Sequence, residues 1–147
     1  MPQKNIQKKK IKIINRPPRF YWLIRFFSPS YDFKKVLAFA FGNLIFTHLD
    51  PIPDHILLHE KVHLRQMRYS RFWGAIHFIR FVLSDKFKYK TELEAYKAEY
   101  EYIKRIAPNY SLEAAKRYAE VLSGQGKNAY IYGRLKSYEE ALTDIIL

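Results

Sequence analysis

The chain has 147 residues, of which 48% are hydrophobic and 17% aromatic, so it can bury a core and does not have the composition of a disordered protein. It contains no cysteine, which excludes disulfides and thiolate metal sites. The formal net charge of +12 predicts either binding to a polyanion or a set of solvated basic surfaces. Any metal site must therefore use histidine and carboxylate side chains.

The first basic stretch occupies residues 1–19, which carry seven lysines and arginines and no acid. We interpret residues 1–19 as a basic N-terminal arm, in which residues 11–13 can pair as an edge strand, and residues 20–147 as a single domain. Such an arm favours nucleic acid or another polyanion as a partner, and a merely solvated arm is the alternative. The N-terminus lacks the apolar segment of a secretory signal, and the longest uncharged run, residues 36–49, is too short to span a bilayer.

The next elements in chain order are short and apolar. Residues 20–27 fit a short helix or strand. Residues 36–41 and 44–48 are strand-like and flank Gly42-Asn43, which predicts a hairpin or one strand with a bulge. The sequence then turns helical at Asp54, which we expect to cap a helix that runs to about Tyr69.

The rest of the chain has helical patterns. We expect helix over residues 71–83, a helix from Thr91 to just before Pro108 that opens with a Thr91–Glu94 capping box, and a helix from Ser111 to about Gly124. A Ser137–Glu140 capping box opens the last helix. The order predicts an α+β fold: a small antiparallel or mixed sheet packed on a metal-binding helix, followed by a helical C-terminal half.

The strongest chemical pattern is His59-Glu60-Lys61-Val62-His63. On a helix His63 lies about 40° from His59, whereas the cationic side chains of this segment lie about 180–240° away, so both imidazoles face inward. Side chains at positions i and i+4 are one turn apart and can bind one Zn²⁺. Glu60 lies beside the pair, where it can accept a proton from water as a general base.

A catalytic zinc site usually takes a third protein ligand, and the helix predicted from Thr91 offers two glutamates on its inward face. Glu92 and Glu99 lie about 20° apart on that face, and Glu94 lies on the solvated side. We assign Glu92 as the third ligand and Glu99 as a carboxylate that orients a ligand histidine, with the reverse assignment as the alternative.

Other histidines compete for roles at this site. His55 lies one turn before His59 on the same stripe, but no glutamate holds the general-base position beside it, so we assign it to the rim. His77, in an aromatic stretch, is either a core histidine or the group that stabilises an oxyanion. His48 is a further candidate ligand.

The pattern His59-Glu60-x-x-His63-x-x-Gln66, followed by Glu92-Leu-Glu-Ala95, resembles the minimal gluzincins, compact zinc-dependent peptidases of phages and bacteria. The segment Ala40-Phe-Gly-Asn-Leu-Ile-Phe46 is similar to the strand that precedes their metal helix. The resemblance implies a zincin-like catalytic domain over residues 20–147, zinc bound by His59, His63 and Glu92, and Gln66 beside the ligands. It also implies an edge strand that pairs with an extended peptide.

The function implied by this resemblance is hydrolysis of a peptide bond in a peptide or protein substrate. Water activated by zinc attacks the carbonyl, and Glu60 takes the proton and passes it to the leaving amine. The alternative is a catalytically silent basic protein, binding or virion-associated, which has nucleic acid or protein as its partner and retains a structural metal. For the chain under either function we expect a cytoplasmic or virion-associated location. A metal hydrolase that cleaves another bond and a protein that binds a membrane surface are further alternatives.

Overall fold

A computed structural model describes residues 11–19, Trp22, Phe26, 37–125 and 135–147 of the chain. Most of the residue 20–27 segment and residues 1–10 of the arm lie outside this description. The described residues form an α+β fold with a mixed three-stranded sheet and a helical C-terminal half, which confirms the predicted fold class. The strands are β1 (Lys12–Ile14), β2 (Ala38–Phe41) and β3 (Leu44–Thr47), and the helices are α1 (Asp54–Gln66), α2 (Arg71–Leu83), α3 (Asp85–Ile106), α4 (Ser111–Leu122) and α5 (Tyr138–Ile146).

The sheet has the strand order β1-β3-β2. β2 and β3 form an antiparallel hairpin in which Phe41 pairs with Leu44, so the loop consists of Gly42 and Asn43 alone. Gly42 has a φ of 64°, the left-handed conformation that a two-residue hairpin loop of this kind requires at its first position. β1 adds to the other side of β3 in parallel, which places the end of the predicted arm in the sheet.

The hairpin loop contacts both α1 and α2. The amide of Gly42 points at the sulfur of Met67, at the end of α1, with a distance of 3.4 Å. A Cβ atom on Gly42 would lie 3.0 Å from the backbone of Arg71, and one on Gly74 would lie 3.1 Å from the Gly42 nitrogen. The absence of side chains at both glycines therefore permits the close approach that fixes the sheet against the two helices.

α1 packs its apolar face on the sheet. Ile56, Leu64 and Met67 share a core cluster with buried residues of β2 and β3. The prediction that Asp54 caps this helix was wrong, because the helix begins after Pro53 and no side chain caps its first turn. Asp54 instead lies in that first turn, where its negative charge interacts favourably with the positive end of the helix dipole.

α3 begins earlier than predicted. Its cap is Ser84, whose Oγ accepts a hydrogen bond of 3.2 Å from the Phe87 amide, and the helix continues through Thr91 without a break. The Thr91–Glu94 capping box was therefore wrong. Glu94 is instead paired with Arg65 of α1, with 2.7 Å between Oε1 and Nη2.

A second core lies among α3, α4 and α5. Its buried members include Tyr100 of α3, Leu122 of α4 and Ile145 of α5. The predicted capping box at the start of α5 is confirmed, with the Ser137 side chain bonded to the Glu140 amide and the Glu140 carboxylate bonded to the Ser137 amide. None of the helices among the described residues is long and apolar enough to cross a membrane.

We expect Gly42→Ala to lower the free energy of unfolding by about 2 kcal/mol. The new Cβ atom would press on the α2 backbone, and alanine is strained in the left-handed φ that this position adopts. Gly74→Ala is the matched comparison, since it enters the same contact at an ordinary helical φ, where alanine favours the helix. It should destabilise the protein less. Urea unfolding measures both values, and a Gly42→Ala variant as stable as the wild type would contradict the proposed packing.

Candidate metal centre

The helices α1 and α3 bring three donor side chains together: His59, His63 and Glu92. One ligand atom from each lies within 4.8 Å of the other two. The two Nε2 atoms are 3.1 Å apart, the His59 Nε2 is 3.4 Å from Glu92 Oε2, and the His63 Nε2 is 3.5 Å from Glu92 Oε1. These are the three residues that the sequence predicted as ligands.

The spacing of these donors fits a zinc ion. Ligand distances of about 2.0–2.1 Å and tetrahedral angles place neighbouring donor atoms about 3.3 Å apart. The observed separations of 3.1, 3.4 and 3.5 Å lie close to that value, and the last two end on the two different oxygens of the Glu92 carboxylate. Three protein donors also match the number that catalytic zinc sites use, since structural sites usually have four.

The other ring nitrogen of each histidine faces an acceptor. The Nδ1 of His59 lies 3.1 Å from Glu99 Oε2, and the Nδ1 of His63 lies 3.0 Å from Gln66 Oε1. The Gln66 amide nitrogen donates to the Thr91 carbonyl and to Glu94, which directs its oxygen towards His63. Both imidazoles therefore carry a proton on Nδ1, and a neutral ring then presents the lone pair of Nε2 to the cluster, as a metal ligand must.

The cluster has an excess of buried negative charge. Glu60, Glu92 and Glu99 are only 6–7% exposed, and among the described residues the ion pairs of Glu92 and Glu99 are all with histidines. Burial lowers the pKa of His59, but the neighbouring Glu92 and Glu99 outweigh it and raise that pKa to about 10. The interior thus favours a positive charge between the donors, which protonated imidazoles or a divalent cation can supply.

Glu60 is a buried carboxylate beside the cluster, close enough to His59 and His63 to interact with both electrostatically. Its Oε2 is buried and has no hydrogen-bond partner among the described residues. Burial raises the pKa of Glu60, although His63 and His59 oppose the shift. A buried carboxylate oxygen left unpaired by the described residues can accept a proton, and that is what a general base beside a metal must do.

The remaining histidines take other positions. His55 is partly exposed at the edge of the cluster, 3.9 Å from Glu99 Oε1. His77 of α2 packs edge-on against Phe87, with 5.0 Å between ring centroids, and burial followed by the proximity of His63 lowers its pKa to about 4. His48 is exposed and lies outside the three-residue cluster. The role of His77 as an oxyanion stabiliser stays a prediction.

Two tyrosines at the site were missed by the sequence analysis. Tyr96 of α3 packs edge-on against His59 with 4.7 Å between centroids, and Tyr118 of α4 stacks on Tyr96 at the same distance. The Tyr118 hydroxyl also interacts with the Glu99 carboxylate, and burial together with that carboxylate raises the pKa of Tyr118. The helical phase of Tyr96, about 40° from Glu92, was the only signal for its position.

Comparison of the chain with protein-family models, with curated proteins and with solved structures returned no match. The interpretation of this site therefore depends on the geometry and charge of its own residues.

We expect His59→Ala to weaken zinc binding by more than about 100-fold. Removal of a residue that only hydrogen-bonds to a metal ligand already weakens binding by about 10- to 100-fold, and removal of the ligand itself should weaken it more. His55→Ala is the matched control, since it removes a histidine one turn away on the same face. It should change zinc affinity by less than about threefold. Competition with a chromophoric chelator measures both constants, and equal losses in the two variants would show that the assigned histidine pair is wrong.

We expect Tyr118→Phe to weaken zinc binding by about tenfold, because Glu99 then loses the hydroxyl that helps to hold it on His59. The exposed Tyr110 provides the control substitution Tyr110→Phe. The melting temperature of the metal-free protein must be measured in parallel. A lower melting temperature with unchanged zinc affinity would assign Tyr118 to the core alone.

Proposed function

We propose that the chain is a zinc-dependent peptidase of the gluzincin type, in which His59, His63 and Glu92 hold the ion and Glu60 is the general base. The observation that carries the proposal is the buried Oε2 of Glu60, which has no hydrogen-bond partner in the described part of the chain, beside three convergent candidate metal donors. A structural metal site does not require an additional buried carboxylate, and a carboxylate buried without a partner lowers the stability of the fold. Hydrolysis requires such a group next to the metal.

The reaction needs a Lewis acid and a base in one place. A bound zinc ion supplies the Lewis acid that polarises a carbonyl group and acidifies water. Glu60 accepts the proton of the attacking water and passes it to the departing amine. Glu99 and Gln66 keep the two imidazoles in the tautomer and orientation that binding demands.

The surroundings of the site favour a peptide as the substrate. α1, which carries the two histidines and Glu60, packs on β2, and β2 forms an edge of the sheet of described strands. An extended peptide that adds to this edge by main-chain hydrogen bonds would run alongside the helix that carries the base. We therefore include an extended segment of a peptide or protein in the proposal.

The competing function is a silent binding protein with a structural metal. That function predicts a closed site, because structural zinc usually has four protein ligands and no position for water. Among the described residues the cluster has three donors, His59, His63 and Glu92. This number favours the catalytic proposal over the structural one.

We expect Glu60→Gln to keep its zinc and to lose peptidase activity by about 10²- to 10⁴-fold, because glutamine cannot accept the proton. The matched control is Glu101→Gln, which removes an exposed carboxylate of α3 whose ion pair is with Lys104. Cleavage is measured by mass spectrometry of a degenerate peptide mixture incubated with the zinc-loaded protein. Zinc content is measured on the same samples.

The two substitutions separate catalysis from metal binding. Loss of activity in Glu60→Gln with full zinc content, and near-normal activity in Glu101→Gln, would support the proposal. Cleavage by Glu60→Gln at the wild-type rate would refute the role of Glu60. Zinc binding with no cleavage by the wild type would favour the structural alternative.

A further inference from the structure

The outward face of α2 is apolar, the reverse of an ordinary surface helix. Phe72, Ile79 and Leu83 lie within about 40° of one another around the helix and are 69%, 56% and 78% exposed. Ala75, also exposed, and the half-buried Ile76 lie on either side of them. A patch of this kind on a protein surface marks a contact with another apolar phase.

Cations surround this apolar stripe and no acid interrupts it. Residues 61–84 contain five lysines and arginines and neither aspartate nor glutamate. Arg71 and Arg80 are exposed at the two edges of the stripe, about 90° from its centre on either side. Just beyond the C-terminal end of the helix, Lys86 adds an exposed cation and Asp85 an exposed acid.

Aromatic rings hold two of these guanidinium groups. The Arg68 guanidinium lies 4.3 Å from the centroid of the Trp73 ring, and the Arg80 guanidinium lies 4.2 Å from that of Phe87. Trp73 is itself 40% exposed at the edge of the stripe. Tryptophan and arginine at the border of an apolar face are the side chains that proteins place at the level of lipid headgroups.

We propose that α2 docks on an anionic membrane surface, with its apolar stripe between the headgroups and the arginines on lipid phosphates. The apolar side chains favour a lipid over nucleic acid, because a phosphodiester backbone offers no apolar phase for them. The ring of cations favours an anionic lipid over an uncharged protein surface. This inference concerns a different face of the protein from the metal centre and does not rest on the proposed peptidase activity.

The helix would lie along the surface rather than cross it. At about 1.5 Å per residue, its 13 residues extend about 20 Å, which is shorter than the hydrocarbon core of a bilayer. The opposite side of α2 carries His77, which interacts electrostatically with His63 and Glu92 of the metal centre. Docking through the outward face would therefore hold the metal centre about one helix diameter above the lipid.

The test compares two double variants of the full chain in sedimentation with vesicles. Ile79→Gln/Leu83→Gln removes two exposed side chains from the stripe, and Ile106→Gln/Leu112→Gln removes two of similar exposure elsewhere (59% and 54%). With vesicles of 70% phosphatidylcholine and 30% phosphatidylglycerol, we expect the first variant to bind at least about tenfold more weakly than wild type. The second should bind as wild type does, and 0.5 M salt should weaken binding of both wild type and control.

Fluorescence locates the helix in the same experiment. The chain has two tryptophans, so Trp22→Phe leaves Trp73 as the single reporter. We expect its emission to shift to the blue on vesicle binding and to be quenched by brominated lipid. An unshifted spectrum on bound protein would mean that another surface holds the membrane and would overturn the proposal.

Three further results would contradict it. Equal vesicle binding by the two double variants would assign the attraction to charge elsewhere on the chain. Wild-type dimerisation in analytical ultracentrifugation that Ile79→Gln/Leu83→Gln abolishes, with no vesicle binding, would make the face a contact between copies. Binding of a 20-base-pair duplex that is lost in the same variant, again with no vesicle binding, would assign the face to nucleic acid.

Discussion

Charge compensation at the interface of α1 and α3 is the constraint around which the described structure is organised. Glu60, Glu92 and Glu99 are buried there beside two imidazoles, and isolated ions in an interior lose several kcal/mol of hydration free energy each. Protons on the imidazoles can offset part of that penalty, as the raised pKa values of His59 and His63 indicate. A divalent cation held between the donors would offset more of it, which would link metal binding to the packing of these two helices.

The two hydrophobic cores lie on either side of this interface and hold its members in place. One core fixes α1 to the sheet, where Gly42 and Met67 allow the hairpin loop to approach closely. The other fixes α3 to α4, where Tyr118 reaches Glu99. A polar contact between Gln66 and Glu94 joins the helices at the surface end of the cluster. His59 is thereby oriented by Glu99 of α3, and His63 by Gln66 of its own helix, which pre-organises the two imidazoles for an ion.

Sequence spacing was sufficient to predict which residues face the site and insufficient to predict where helices begin. The directions in which His63 and Glu99 face depend only on their angular positions around the helix relative to His59 and Glu92, and these angles are the same wherever each helix starts. The start of α3 depended on a choice between Ser84 and Thr91 as the cap, and the pattern at Thr91 resembles a cap although the preceding residues are helical. Tyr118 could not be predicted, because its contact with Glu99 depends on how α4 crosses α3, which local sequence does not determine.

The consecutive helices α1 and α2 differ in which side chains they expose to solvent. α1 places Lys61 and Arg65 on its outward side and its histidines inward, which is the usual polarity of a helix in water. α2 places apolar residues outward and limits its cations to the edges, so its exposed face costs hydration free energy unless something covers it. The cations between residues 61 and 84 therefore lie in two different surroundings. Those of α1 face solvent, and those of α2 border an apolar stripe. A negatively charged membrane is the environment that satisfies both the charge and the apolar surface of α2.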